Sequence, residues 1–483
     1  MNGIRHRITW TVILLISAIL TSIILIYPVK YWTDGRHNTY IINIHLNDSD
    51  KILDCSQQLK YTNREKEVLN ELYFHLYPNA FKKEETVPVL KDELSIAYPK
   101  GFSEGYIEIQ EVKVSGRNSK YETEGETETL LRVEMQKGIK PGETAEVFIR
   151  FKVKLPHCIG RFGYGENSIN IANWYPILCV YDEKGWNKDP YYLIGDPFYS
   201  EVSDYEVSIT MPDRYKVAHT GQLMDTRYED GFCTYIVRAD KVRDFALFAS
   251  ENYEQIENRV ADTTIKSCSF SGGGEKALIF ATKALLTFNE LFGKYPYEVL
   301  TIAESDFYVG GMEYPQIVQI DSTAYKDDEL WLEYLIAHEV AHQWWYGLVG
   351  NDEINEPWLD EGLTEYSTLL YFEYNYGAER KKEIMQSYII RNIELYEEYV
   401  NTDDIIYNSL YEFDDWRKYS VVIYSNGAMV HEKLRNAIGD KKYFTLLRKY
   451  FEKYKYKNAR IADFINLAVR IAGKNAANIL NNY

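Results

Sequence analysis

Positive charge is in short supply relative to negative in this sequence. Its 483 residues carry 54 Lys and Arg against 72 Asp and Glu, a formal net charge of −18. A phosphate backbone demands clustered cations, so this balance argues against nucleic acid as a partner. Cysteine is scarce too: Cys55, Cys158, Cys179, Cys233 and Cys268 are an odd number with no CxxC spacing. That fits neither a disulfide framework nor a cysteine zinc site and leaves small apolar core residues. There is no internal repeat and no low-complexity linker, and the length is enough for two or three domains with cores of their own.

Long apolar runs are missing with one exception. "ITWTVILLISAILTSIILIY", Ile8 to Tyr27, is twenty residues without a charge, enough to cross a bilayer core as a helix. Arg5 and Arg7 precede it; Lys30 and Arg36 follow with Asp34 between them, a weak bias for an N-inside orientation. "LIYPVKYW" offers no small-residue cleavage site, and the run is long for a signal peptide. The expectation is a short cytoplasmic tail (1–7) and an uncleaved transmembrane signal-anchor helix (8–27) in the lipid bilayer. The rest of the chain would then lie on the extracytoplasmic side.

From about residue 38 to 251 the pattern has period two. Val147, Ile149, Phe151 and Val153 alternate with Phe148, Arg150 and Lys152, as half-buried strands do. Tyr40, Ile42, Ile44 and Leu46 repeat the pattern, as do Tyr205, Val207, Ile209 and Met211. This predicts an antiparallel N-terminal β-domain. Beyond it "GEKALIFATKALLTFNELFGKYP" reads as a helix, "YEVLTIAES" as a short buried strand, and the chain from Asp327 onward as mostly helical. A second domain is placed at 252–483, giving an α+β multidomain fold.

In that domain "AHEVAHQWW" sets two of only nine histidines four residues apart. On a helix, His338 and His342 then project from one face and can fill two corners of a zinc tetrahedron. Glu339 between them can reach a water at the metal, the HExxH arrangement. The alternative is a pair of buried, hydrogen-bonded core histidines. A second helical stretch, "NEPWLDEGLTEYSTLLYFEYNYG", has Pro357 at a first helical position and Gly377 as its stop. Eighteen residues separate His342 from Glu361 within it, and this carboxylate can supply the third ligand. Among Trp358, Leu359 and Leu363 it would otherwise be an unpaired charge in apolar company. Glu365, one turn later, either orients a ligand histidine or is an exposed helical glutamate.

HEVAHQWW followed by WLDEGLTEY resembles the gluzincin aminopeptidases, the aminopeptidase N and leukotriene hydrolase family. The resemblance implies a thermolysin-like catalytic domain, one zinc per chain on His338, His342 and Glu361, and Glu339 as general base. "FYVGGMEYP" is similar to the family's GxMEN motif, with Gly310, Gly311, Met312 and Glu313 matching. It implies a strand edge that accepts a peptide backbone and a glutamate that pairs with a free N-terminus. "VVIYSNGAMVHEKLR" resembles the Y-x-x-G-A stretch, which implies Tyr424 as donor to the developing oxyanion. Departures are Asp360, where the family usually has Asn, and Tyr314 followed by Pro315. The family's second amine-binding residue cannot be aligned uniquely, and Glu166, Asn167 and Asn170 remain candidates. Many members continue into a helical-repeat domain for which this sequence leaves no room, so a more open cleft is expected.

The implied function is a membrane-anchored zinc aminopeptidase acting on peptides with a free N-terminus. The same zinc site would also serve an endopeptidase or an epoxide-hydrolase-like enzyme, and a catalytically silent binding domain is the reading from another class.

Overall fold

Alternating apolar and polar side chains give the strands that carry Tyr40–Leu46, Val147–Val153 and Tyr205–Met211 one inward face. The structure, a computed structural model, describes residues 37–401 and 404–481. Its largest sheet has eight strands: β1 (Asn38–Asn47), β2 (Ile52–Thr62), β3 (Tyr106–Val114), β4 (Arg117–Asn118), β5 (Thr144–Lys154), β6 (Ser203–Pro212), β7 (Gln222–Glu229) and β8 (Phe232–Val242). They lie in the order β7-β8-β6-β1-β2-β5-β3-β4. The expected inward residues of β1, β5 and β6 are all buried. One pairing departs from the antiparallel expectation: Asn38–His45 of β1 runs parallel to Ser203–Thr210 of β6. β2 folds back onto one edge of β1, and the chain regains the other edge only after one smaller four-stranded sheet and half of a second have been threaded. A parallel pair needs such a long crossover.

The C-terminal half is not helical throughout. It opens with a five-stranded sheet of β9 (Glu254–Val260), β10 (Thr263–Ser269), β11 (Val299–Ser305), β12 (Gly311–Met312) and β13 (Ile317–Asp321), in the order β9-β10-β11-β13-β12. Of these the sequence reading foresees β11 and, through the motif resemblance, the edge at β12. β9 is polar and largely exposed, and it turns into β10 through Ala261 at φ 54°, so no apolar alternation marks the hairpin. The helices follow: α1 (Gly274–Leu291), α2 (Glu329–Ala341), α3 (Glu361–Tyr376), α4 (Asn426–Ile438), α5 (Asp440–Tyr454) and α6 (Ile461–Ala472). α1 and α3 both pack on α2, and α4 packs on α3.

Two hydrophobic cores result. The first gathers the N-terminal sheets and also takes in Ala303, Phe307, Met312, Tyr314 and Ile317. The second lies under α1 to α6. Strand β12 therefore has its floor in the core of the β-rich half while its neighbour α2 is rooted in the other. All five cysteines are buried and unpaired, as small core residues would be. The expected tail and anchor, residues 1–27, lie outside the described residues; among those described, no helix is long and apolar enough to cross a membrane.

Candidate active site

α2 begins where Asp328 accepts the Leu330 N–H at 2.9 Å, one of the orphan donors of a helix start. Every residue of it from Leu332 to Ala341 is buried. Its four-residue spacing directs His338 and His342 toward α3. The chain enters α3 differently from the expected start at Pro357: Pro357–Leu359 form a 3₁₀ turn, Asp360 follows, and Glu361 is the first residue of α3. Gly377 ends the helix at φ 91°.

Three ligand atoms meet between these helices. His338 Nε2 is 3.2 Å from His342 Nε2, and Glu361 Oε2 is 3.3 and 3.4 Å from the two. Bonds of about 2.0–2.1 Å in a tetrahedron set ligand atoms about 3.3–3.4 Å apart. The triangle has the size zinc requires. Glu361 Oε2 is buried without a hydrogen-bond partner, a costly state unless a cation lies against it. The outer nitrogens are held by carboxylates: His338 Nδ1 lies 3.0 Å from Glu365 Oε2, and His342 Nδ1 lies 2.6 Å from Asp360 Oδ1. Such partners fix the tautomer that leaves Nε2 free for a metal. Glu365 is buried and also accepts the Tyr334 hydroxyl, so it is not the exposed glutamate of the alternative reading. Asp360, whose role the sequence left open, makes the same kind of contact.

Glu339 faces β12 across a gap that only glycine permits. A Cβ on Gly311 would lie 2.1 Å from Glu339 Oε1. Gly310 supplies a second need, a backbone φ of 107°. After Met312, Glu313 is buried and its Oε1 has no partner. The segment is clamped to the end of α2 by Gln343, whose Nε2 donates to the Tyr314 carbonyl at 3.1 Å while its Oε1 accepts the Gln316 N–H at 2.8 Å. Glu313, Glu339 and His342 each bring an atom within 4.8 Å of the others.

The β-rich half contributes residues that the sequence did not reveal. Asp196, Glu313 and Glu361 also converge within 4.8 Å. Arg161 pairs with Asp196, and its Nε approaches Met312 Sδ at 3.1 Å. The three N-terminal candidates are elsewhere. Glu166 pairs with Lys100 on the surface, Asn167 donates to Asp306, and Asn170 donates to the Gly160 and Asp306 carbonyls. They shape a loop rather than line the cleft.

Tyr424 sits on a π-helical turn, Ser420–Ser425, that leads into α4. Its ring is nearly parallel to that of His338, with centroids 6.0 Å apart and an interplanar angle of 11°. The nearby glycine explains the rest of the Y-x-x-G-A stretch. A Cβ on Gly427 would lie 2.8 Å from the Gly362 Cα, so α3 and α4 cross backbone to backbone beside Glu361. That close crossing brings Tyr424 to the ligand triangle.

Burial dominates the electrostatics. It pushes Asp196 up to about 6, Glu339 and Asp360 up to about 7, and Glu313 well above the usual carboxyl range. Burial opposes charge on His338, but Glu361 and Glu365 outweigh it and raise the imidazole to about 9. Glu361, against its own burial, is held well below the ordinary value by His342 and His338. The cluster draws positive charge, and either protons on the imidazoles or a divalent cation in their place meets the same demand. Apart from Asp360, which lies behind His342, these groups open into one cleft of about 340 Å³, lined further by Trp331, Tyr388 and Trp416.

Comparison with known proteins agrees with this geometry. The description "Peptidase family M1 domain" matches residues 277–483. Aminopeptidase M1-B of Oryza sativa subsp. japonica is 30% identical over 270 residues, which is 52% of this chain and 30% of the relative. Endoplasmic reticulum aminopeptidase 2 of Homo sapiens is 27% identical over 195 residues, 38% of this chain and 20% of the relative. The chain thus spans about a third or less of the curated relatives it matches. The fold is similar to that of an M1 zinc metallopeptidase from Deinococcus radiodurans, with a TM-score of 0.64 at 15% identity, covering 92% of this chain and 93% of that one. A mutant of that metallopeptidase, solved with a Tyr-Ser-Ala substrate, gives the same TM-score. The matched residues 277–483 hold the ligand triangle, Glu339, Glu313 and Tyr424, so the chemistry-bearing part of the chain is the part that is similar to the peptidase family M1 domain.

Proposed function

We propose that this protein is a zinc-dependent aminopeptidase that removes N-terminal residues from peptides, with one zinc per chain. The observation that carries the reading is the pair of buried acids, Glu313 and Asp196, set beside the ligand triangle. His338, His342 and Glu361 would hold the metal, while Glu365 and Asp360 orient the imidazoles. A bound zinc supplies Lewis acidity, polarising a carbonyl and lowering the pKa of water to about 7. Glu339 takes the proton of the attacking water and delivers it to the departing amine as the C–N bond breaks. Tyr424 donates a hydrogen bond to the oxygen on which negative charge develops. The substrate backbone lies along the β12 edge at Gly310, Gly311 and Met312. Its ammonium is held between Glu313 and Asp196, which leaves room for a single residue before the scissile bond.

Supporting this reading are the M1 relatives named as aminopeptidases and the M1 zinc metallopeptidase variant bound to a peptide substrate. Residues 8–27 are proposed to anchor the protein in a membrane with the cleft outside the cytoplasm, on the strength of their charge-free length. Free and N-acetylated forms of one peptide, assayed with and without chelator, test the activity. Release of the first residue from the free form alone, lost with chelator, is the expected result. Equal cleavage of both forms would replace the aminopeptidase with an endopeptidase. Protease treatment of intact cells tests the anchor: a catalytic domain protected until lysis refutes the orientation.

A further inference from the structure

Three aromatic rings on the cleft wall play no part in the mechanism above. Trp331, Tyr334 and His338 are spaced three and then four residues apart, so they share one face of α2. Tyr388 arrives from another segment, the π-helical turn Met385–Ile390, and lays its ring 4.3 Å from that of Tyr334 and 6.0 Å from that of Trp331, tilted by 19° and 9°. Trp331 and Tyr334 stack at 5.8 Å and 14°. This is not a sealed core cluster. Trp331 is 36% exposed, Tyr388 is half-buried, and all three rings line the same cleft as His338 and Glu313.

Their place along α2 assigns them a direction. Glu313 lies beside His342 and Glu339, at the C-terminal end of the helix. Trp331 and Tyr334 lie on its N-terminal turns. A peptide whose ammonium is held at Glu313 must pass His338 before it meets the rings. Seven residues of helix, from His338 back to Trp331, span about 10 Å at about 1.5 Å per residue. An extended peptide covers about 3.4 Å per residue, so the wall falls about two to three residues beyond the first.

We infer that Trp331, Tyr334 and Tyr388 form a subsite that takes an aromatic side chain from the third or fourth residue of the substrate, so that peptides long enough to reach it are preferred. This rests on the aminopeptidase reading. An offset-stacked ring on a half-wet aromatic wall combines apolar burial with favourable ring–ring geometry. The Tyr334 hydroxyl is already engaged by Glu365, which keeps that ring fixed and presents its face.

The test uses the zinc-loaded full chain and the peptide Ala-Ser-Ser-Ser-Ser-Ser, with phenylalanine placed singly at positions two to five. Alanine release is measured. Phenylalanine at position three or four should raise kcat/KM over serine by about fivefold to thirtyfold, chiefly through KM. In Trp331→Ala and Tyr388→Ala that ratio should fall toward one, and Trp331→Phe should retain most of it. Calorimetric binding of the same peptides to the Glu339→Gln variant should show the same order. The parent's own positional profile decides the matter even if an alanine variant fails to fold. A flat profile, a peak only at position two, or a preference that survives both alanine variants overturns the subsite and leaves the aminopeptidase reading intact. No alanine release from any peptide overturns both.

Discussion

Gly311→Ala tests the position of Glu339 without altering its chemistry. The added Cβ would lie 2.1 Å from Oε1, 2.5 Å from Cδ and 2.7 Å from Cγ of Glu339. Ordinary contact is about 3.5 Å, so the carboxylate or strand β12 must retreat by more than about 1 Å. α2 is buried around Glu339 and cannot move away freely. The side chain must therefore change rotamer, or the two-residue β12 must swing off the sheet edge. Gly311 does not share the positive φ of Gly310, so alanine brings no backbone strain of its own, and the steric cost is about 1–3 kcal/mol. Misplacing a catalytic group by about 1 Å costs on the order of 100-fold, and losing a general base about 100- to 10,000-fold. The expected outcome is a kcat lower by about 100- to 1,000-fold with zinc content intact, because the three atoms nearest this Cβ all belong to Glu339 and none to a ligand residue. Steady-state kinetics, metal analysis and a thermal melt on one preparation check it. A folded, zinc-loaded variant with kcat within a few-fold of the parent would mean that the proton does not pass through Glu339.

Asp360→Ala should weaken zinc binding by about 10- to 100-fold by freeing the far side of His342, measured by competition with a chromophoric chelator; unchanged affinity would make Asp360 a bystander. Glu313→Ala should reduce kcat/KM for free-amine peptides by about tenfold to a few hundredfold, the worth of a charge-assisted hydrogen bond, with no further loss on acetylated peptides; an equal fall on both would mean general damage instead. The zinc-free protein should lose thermal stability as pH rises from about 6.5 to about 9. His338, raised to about 9 chiefly by Glu361 and Glu365 against its burial, stabilises the fold while protonated, fully below its ordinary pKa, and that contribution is lost as pH rises through the folded value. Zinc takes the place of that charge, so the loaded protein should show a flatter curve, and parallel curves for the two forms would refute the account.

What could be read from the sequence depended on how local each signal was. His338, Glu339 and His342 stand within one and a half turns of helix, and Glu361 within a fixed distance of them, so spacing and motif sufficed. The alternation of Tyr40 to Leu46 and of Val147 to Val153 likewise gave their strands directly. Asp196 and Arg161 had no such signal. They reach Glu313 and Met312 across more than a hundred residues of chain, and only the shared core beneath β12 brings them there. Gly427 was visible as part of a motif, but its reason is a contact with Gly362 on another helix. Asp360 stood out as a departure, yet its partner became evident only with the 3₁₀ turn that carries it toward His342. The β9–β10 hairpin was missed because its outer strand faces water and has no apolar period.

On the proposed aminopeptidase reading, selectivity for a free N-terminus would follow from how the cleft divides its charges. Glu361, Asp360 and Glu365 all address the two imidazoles, and a metal together with those imidazoles answers them. Glu313 and Asp196 remain, both buried, with Arg161 facing only Asp196. A substrate ammonium supplies the cation that is still missing. An acetylated or internal peptide segment supplies none, and closing over it leaves a buried acid either unpaired or forced to take a proton. Leaving a buried charged group unsatisfied costs more than the matching hydrogen bond gains in water. The proposed discrimination would therefore come mainly from rejecting the wrong substrate, and sites built this way reach large ratios because the penalty falls on the protein's own groups. Glu313→Gln should then narrow the gap between free and acetylated peptides from both sides: the amide binds ammonium less well, and it no longer carries a charge to strand beneath a blocked terminus.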